Sequence, residues 1–124
     1  MADIIANTGR AQAAGYLSNT ITQIATYYGN VGTGAGTAAV ADTTLFTEVG
    51  TSRVSITPTR VTVTLTNDTA QYQFTFTSAS SQTITNAGYF TASTAGTLMQ
   101  KSDHAGIPLL SGDSIAYTFQ NKQA

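Results

Sequence analysis

The chain carries few side chains that can do chemistry. Its only histidine is His104, in the run Lys101-Ser102-Asp103-His104-Ala105-Gly106. A nucleophilic triad needs a nucleophile, an imidazole and an orienting carboxylate meeting in space. Asp103 adjoins His104, but neighbours on an extended chain point to opposite faces. No G-x-S-x-G elbow is present to strain a serine. His104 therefore reads as a loop or interface residue. The acids Asp3, Asp42, Glu48, Asp68, Asp103 and Asp113 are single and mostly sit at turn signals, whereas calcium wants several oxygens converging. Asp42, Asp68 and Asp113 are expected to be turn residues, with Asp42 accepting bonds from the amides that follow it. Spacing leaves a carboxylate pair for glycoside hydrolysis open, because such pairs form only in the fold; there is no Trp to act as a sugar platform. The absence of Cys excludes disulfides and thiolate metal sites. No catalytic residue, cofactor or metal is assigned, and the chain is not read as an enzyme.

Two further stretches invite a binding role. Gly32-Thr33-Gly34-Ala35-Gly36 suggests a phosphate loop, but no Lys followed by Ser or Thr comes after its last glycine. Gly36 also falls two residues after Gly34, where the dinucleotide fingerprint needs three. The stretch reads as a plain loop. The six tyrosines include candidates for a contact patch, since Tyr is enriched at interfaces. Most of them occupy strand positions that face a core with a wet hydroxyl.

The elements that would position these residues are strands. From Arg60 to Thr77, Val61, Val63 and Leu65 alternate with polar residues, and so do Tyr72, Phe74 and Phe76. Strand side chains alternate between faces, so each run has one apolar face. Pairing Leu65 with Tyr72, Val63 with Phe74 and Val61 with Phe76 sets apolar against apolar, which predicts a hairpin turning through Asn67 to Ala70. Residues 20–31 also read as a strand. Asp42 to Phe46 is a turn that anchors Leu45, Phe46 and Val49 in the core. Val54 and Ile56 mark a short strand, and Pro58 an edge or corner. Ala87 to Ala92 and Thr97 to Ser102 predict a second hairpin with Phe90 facing Met99 and Gly96 in the left-handed position. Ser111-Gly112-Asp113 is a tight turn, and Ile115, Tyr117 and Phe119 share one face of a last strand. Such short alternating runs predict an all-β, antiparallel β-sandwich or barrel body over residues 20–124. Residues 1–19 are expected to be an irregular or partly helical arm, with one or two turns over Ala11 to Leu17 after a cap at Asn7 or Thr8.

The 124 residues are enough for one domain with its own core. Only 9% are charged and 24 are Thr, against about 25% charged in ordinary soluble domains. A surface built from Thr, Ser, Asn and Gln suits a protein held in an assembly, where interface cores are depleted of charge. The five basic residues form no cluster, which argues against a nucleic-acid footprint. No apolar run is long enough for a membrane span, and the first residues lack a basic n-region, so no cleaved signal peptide is expected.

Several motifs together resemble a group of small structural proteins of tailed bacteriophages. They are Asn7-Thr8-Gly9-Arg10; Val31 to Gly34 leading to Ala41-Asp42-Thr43-Thr44-Leu45-Phe46; Thr66-Asn67-Asp68-Thr69; Ile84 to Phe90; Gly96-Thr97-Leu98; and Ser111 to Ile115 with Tyr117-Thr118-Phe119. The similarity covers nearly the whole chain. It implies a virion protein with a β-sandwich or jelly-roll body. The expected role is a capsid decoration, or cement, protein that binds the major capsid protein on the outer head and associates with itself as a trimer. The alternative role is a tail, baseplate or fibre module that binds a host receptor or glycan. Nucleic acid and membrane are not expected partners, and assembly is expected in the host cytoplasm. The candidate contact residues are Asn7, Arg10 and Tyr16 of the arm, with Tyr27 and Tyr28.

Overall fold

The structure, a computed structural model, describes residues 2–122. Eight strands and one helix follow in the order β1 (Ala2–Ile5), α1 (Asn7–Leu17), β2 (Tyr27–Gly32), β3 (Val54–Ile56), β4 (Thr59–Val61), β5 (Thr69–Thr77), β6 (Gln82–Phe90), β7 (Leu98–Leu109) and β8 (Ser114–Lys122) among the described residues. They form two antiparallel sheets, β1-β7-β6-β2-β3 and β4-β5-β8. The expected all-β sandwich is what the chain forms.

The pairing inside it departs from the expected hairpin. β5 pairs along all nine residues with β8, so Tyr72 lies opposite Phe119, Phe74 opposite Tyr117 and Phe76 opposite Ile115. Apolar still meets apolar, but the partner is the last strand. β4 takes only the start of β5, with Val61 opposite Thr69. Residues 62–68 leave the sheet, and Val63 and Leu65 are exposed at 49% and 61%. The Asp68 carboxylate explains the break. It accepts the amides of Val63, Thr64 and Leu65 at 2.9–3.1 Å, so those donors need no strand partner.

Other boundaries shift for equally local reasons. The strand expected over 20–31 begins only at Tyr27. Asn19 adopts a φ of 59° after α1, and the amides of Thr20 and Ile21 bond back to the Gly15 carbonyl, so these residues close the helix. The helix itself starts at Asn7 with Ala6 as its cap residue, and no side chain caps it. Before it, β1 joins the edge of the larger sheet, with Ile4 opposite Lys101, a strand no periodicity in the arm announces. In the second hairpin Phe90 faces Leu98, one residue from the expected Met99, because the register shifts after Tyr89. Gly96 has the positive φ (74°) that its turn requires.

Two apolar clusters hold the layers. Tyr27, Tyr72 and Tyr89 form the centre of the main one. Tyr72 stacks on Tyr89 at 4.2 Å and Tyr27 meets Tyr72 edge-on at 5.1 Å. Their fit depends on Gly29, where an added Cβ would lie 2.4 Å from the Phe74 ring. On the other face of the larger sheet, Leu45 from the 33–53 connection packs with Ala6, Phe90 and Leu98. That sheet is therefore covered on both sides. The β4-β5-β8 sheet is covered on one.

Candidate interaction surface

His104 and Asp103 do not meet. Side chains at 100, 102 and 104 face the sandwich interior side of β7, and those at 101 and 103 face the opposite side. His104 Nε2 lies 2.8 Å from the Tyr117 hydroxyl and Nδ1 lies 2.8 Å from the Ala105 carbonyl oxygen. The Asp103 carboxylate instead accepts the Ala38 amide. The imidazole is held between a phenol and a carbonyl, with no nucleophile beside it among these contacts. Among the described residues no cluster of His, Asp and Glu is arranged to hold a metal.

Six other charged groups, Asp42, Glu48, Arg53, Asp68, Lys101 and Asp113, are structural. Asp68 and Asp113 clasp turns as expected, Asp113 accepting the Leu110 amide at 2.9 Å. The Asp42 carboxylate accepts the Ala39 amide, which precedes it, at 3.0 Å and the Lys101 ammonium at 2.9 Å. The expected bonds from following amides are replaced by this ion pair. Lys101 is 1% exposed; it also donates to the Thr44 carbonyl at 2.9 Å and sits 3.3 Å from the centre of the Phe46 ring. Burial alone would raise the Asp42 pKa, but the Ala39 amide and Lys101 outweigh it and the net shift is downward. Glu48 behaves alike. Burial opposes its charge, Arg53 and Asn30 favour it, and its pKa is lowered. Arg53 grips both Glu48 oxygens at 2.8 and 3.0 Å, donates to the Ala92 and Ala95 carbonyls and stacks on Phe90. This single guanidinium ties the 48–53 segment to the β6–β7 loop.

What remains unexplained by internal structure is the outer face of the β5–β8 pair. Odd residues of β5 and even residues of β8 point outward. They are neutral from Gln71 to Thr77 and from Ser114 to Gln120. Three of the four outward pairs are bonded across the strands, the exception being Thr75 opposite Ala116. Gln120 donates to Gln71 at 2.9 Å, Gln73 donates to Thr118 at 3.1 Å, and the Thr77 and Ser114 hydroxyls lie 2.8 Å apart. The result is an uncharged ladder of amides and hydroxyls. At one end of it the loop fixed by Asp68 presents Val63 and Leu65. Burying polar groups costs free energy chiefly when they lose partners. Here three of the four outward pairs already hold a partner, which lowers the cost of covering this face with another protein.

The sequence candidates fall elsewhere. Asn7 and Arg10 are exposed on α1. Tyr16 is half-buried against the main cluster, Tyr28 is half-buried, and Tyr27 is only 5% exposed inside the core. Tyr27 is thus occupied by packing, and burial raises the pKa of its hydroxyl, as it does for Tyr89 and Tyr117. The ladder was missed because its signal lies in pairing. The polar positions of each strand are visible in the sequence, but not that they face one another. Comparison with protein-family models, curated proteins and solved structures gave no match.

Proposed function

We propose that the chain is a non-enzymatic virion structural protein, a capsid decoration protein whose uncharged β5–β8 face lies against the outer surface of the phage head. The single observation that supports this most is the self-bonded, charge-free ladder with two apolar side chains beside it. Interface cores are likewise poor in charge, and three of the four outward pairs are already hydrogen-bonded. Size points to self-association. Nine residues at strand rise make a face roughly 30 Å long, and two strands make it roughly 10 Å wide. That is well below the ~800 Å² per partner of a standard interface. One copy holds weakly, and several copies joined together hold tightly through their combined contacts. A trimer at a threefold position of the shell provides this, with the major capsid protein as partner.

The test is addition of purified protein to isolated expanded heads that lack it. Co-sedimentation and higher heat resistance of the heads are expected. Binding to host cells or glycans with none to heads would overturn the proposal in favour of a tail or fibre module.

A further inference from the structure

The smaller sheet ends early on one side. β8 reaches the larger sheet through Phe119 against Tyr89, the Gln120 carbonyl accepting from Gln100 at 3.2 Å, and Tyr117 against His104. Beyond these contacts lies β1, the edge strand of the larger sheet, as β8 is an edge strand of the smaller one. A cleft of about 450 Å³ runs there, with Asp3, Gln100 and Ser102 on its floor and Tyr117 to Gln120 along its wall. A second hollow of about 310 Å³ follows at the end of β8, between Lys122 and the Arg10, Ala13, Ala14 and Leu17 side of α1. Ile5 forms its floor, on the same face of β1 as Asp3.

Among the described residues the wall is an open strand edge. Antiparallel strands send alternate residues' main-chain groups toward alternate neighbours. The Ser78 amide donates to the Asp113 carbonyl at 2.8 Å, which in the β5–β8 register turns the odd residues' main-chain groups to β5; Thr118, Gln120 and Lys122 direct theirs toward the groove, where the Gln120 carbonyl accepts from Gln100. The other edges of the sandwich, β1, β3 and β4, are three or four residues long; β8 has nine and no Pro or charge before Lys122. Unprotected edges of this length pair with further strands. A second copy's β8 is a poorer occupant, because it carries Lys122 and no carboxylate.

We propose that the groove accepts an extended segment of another polypeptide as a fourth strand beside β8, with an aliphatic side chain and a carboxylate at its α1 end. The span from Tyr117 to Lys122 admits a strand of about 20 Å. Gln100 and Ser102 favour small polar side chains in the middle. At the α1 end Leu17, 84% exposed, joins Ile5, Ala13 and Ala14 in an apolar seat. Arg10 and Lys122 flank that seat and have no carboxylate partner among the described residues. Strand addition of this kind takes affinity from main-chain bonds and specificity from such end pockets. It concerns the edge of β8 and not its outer face, and it holds whether or not the partner is a capsid subunit.

The test is selection of a random hexapeptide display library on the immobilised full chain, followed by mapping of the selected peptide on isotopically labelled protein. Selected peptides are expected to carry an aliphatic residue next to an acid and to shift the amide resonances of Thr118, Gln120 and Lys122. The exposed-site variants Leu17→Asp and Arg10→Glu/Lys122→Glu, checked for unchanged melting, are expected to weaken binding at least about tenfold. The charge-reversed variant is expected to select basic residues in place of acids. No selected binder, binders that map away from β8, or binding indifferent to these variants would overturn the proposal. Head binding is read in a separate assay, so either proposal can fail alone.

Discussion

Lys101 shows how this protein uses its few charges. Its ammonium group is out of water, and a carboxylate, a carbonyl and an aromatic face share it. Removing one partner of such a pair leaves the other poorly solvated, so Lys101→Met is expected to lose about 3 kcal/mol, read by chemical denaturation. Acid has a related effect. Asp42 and Glu48 are lowered from ordinary values of 3.8 and 4.5. A depressed folded pKa gives stability that is present above the unfolded pKa and lost as pH falls through the folded one. The melting temperature is therefore expected to decline as pH drops below about 4.5, and Glu48→Gln is expected to flatten that decline while lowering stability at neutral pH. A slope unchanged by the variant would show that Glu48 is not one of the groups responsible.

Among the elements, close approach of backbones decides more than propensity. Gly9 lies in α1, where Ala is ordinarily favoured by about 1 kcal/mol. A Cβ there would lie 2.3 Å from the Met99 carbonyl oxygen, and β7 backbone cannot yield as a side chain would. Gly9→Ala, and Gly29→Ala against the buried Phe74 ring, are each expected to destabilise by about 1–3 kcal/mol, a calorimetric measurement. The Asp68 clasp predicts a local effect. Asp68→Ala is expected to speed hydrogen exchange at Val63, Thr64 and Leu65 and to leave β5 protected. These elements also show what could be read from the chain. The odd-even rhythms of 71–77 and 115–119 were legible and true. Their pairing was not, because Val61, Val63 and Leu65 offer Tyr72, Phe74 and Phe76 an equally apolar partner. The choice between them turns on strand length and on a carboxylate that satisfies three amides, neither of which is a periodic signal. β1 was illegible for a similar reason. Ile4 and Ile5 gain their strand only from Lys101 and Gln100 of β7, far beyond the reach of any local pattern.

At the scale of the whole molecule, the surface reading depends on the ladder rather than on the tyrosines that composition favoured. Thr75 and Thr118 lie on it and are exposed. The double variant Thr75→Glu/Thr118→Glu is expected to change stability by no more than about 0.5 kcal/mol per site while abolishing attachment to heads, because each carboxylate would be buried without a partner. Retained attachment would show that another face makes the contact. The most direct test is a cryo-electron microscopy map of particles carrying the chain. Density on the outer head surface is expected, with Gln73, Thr75 and Thr118 turned toward capsid subunits. Density in the tail, or a head-bound copy whose β5–β8 face looks out to solvent, would contradict it.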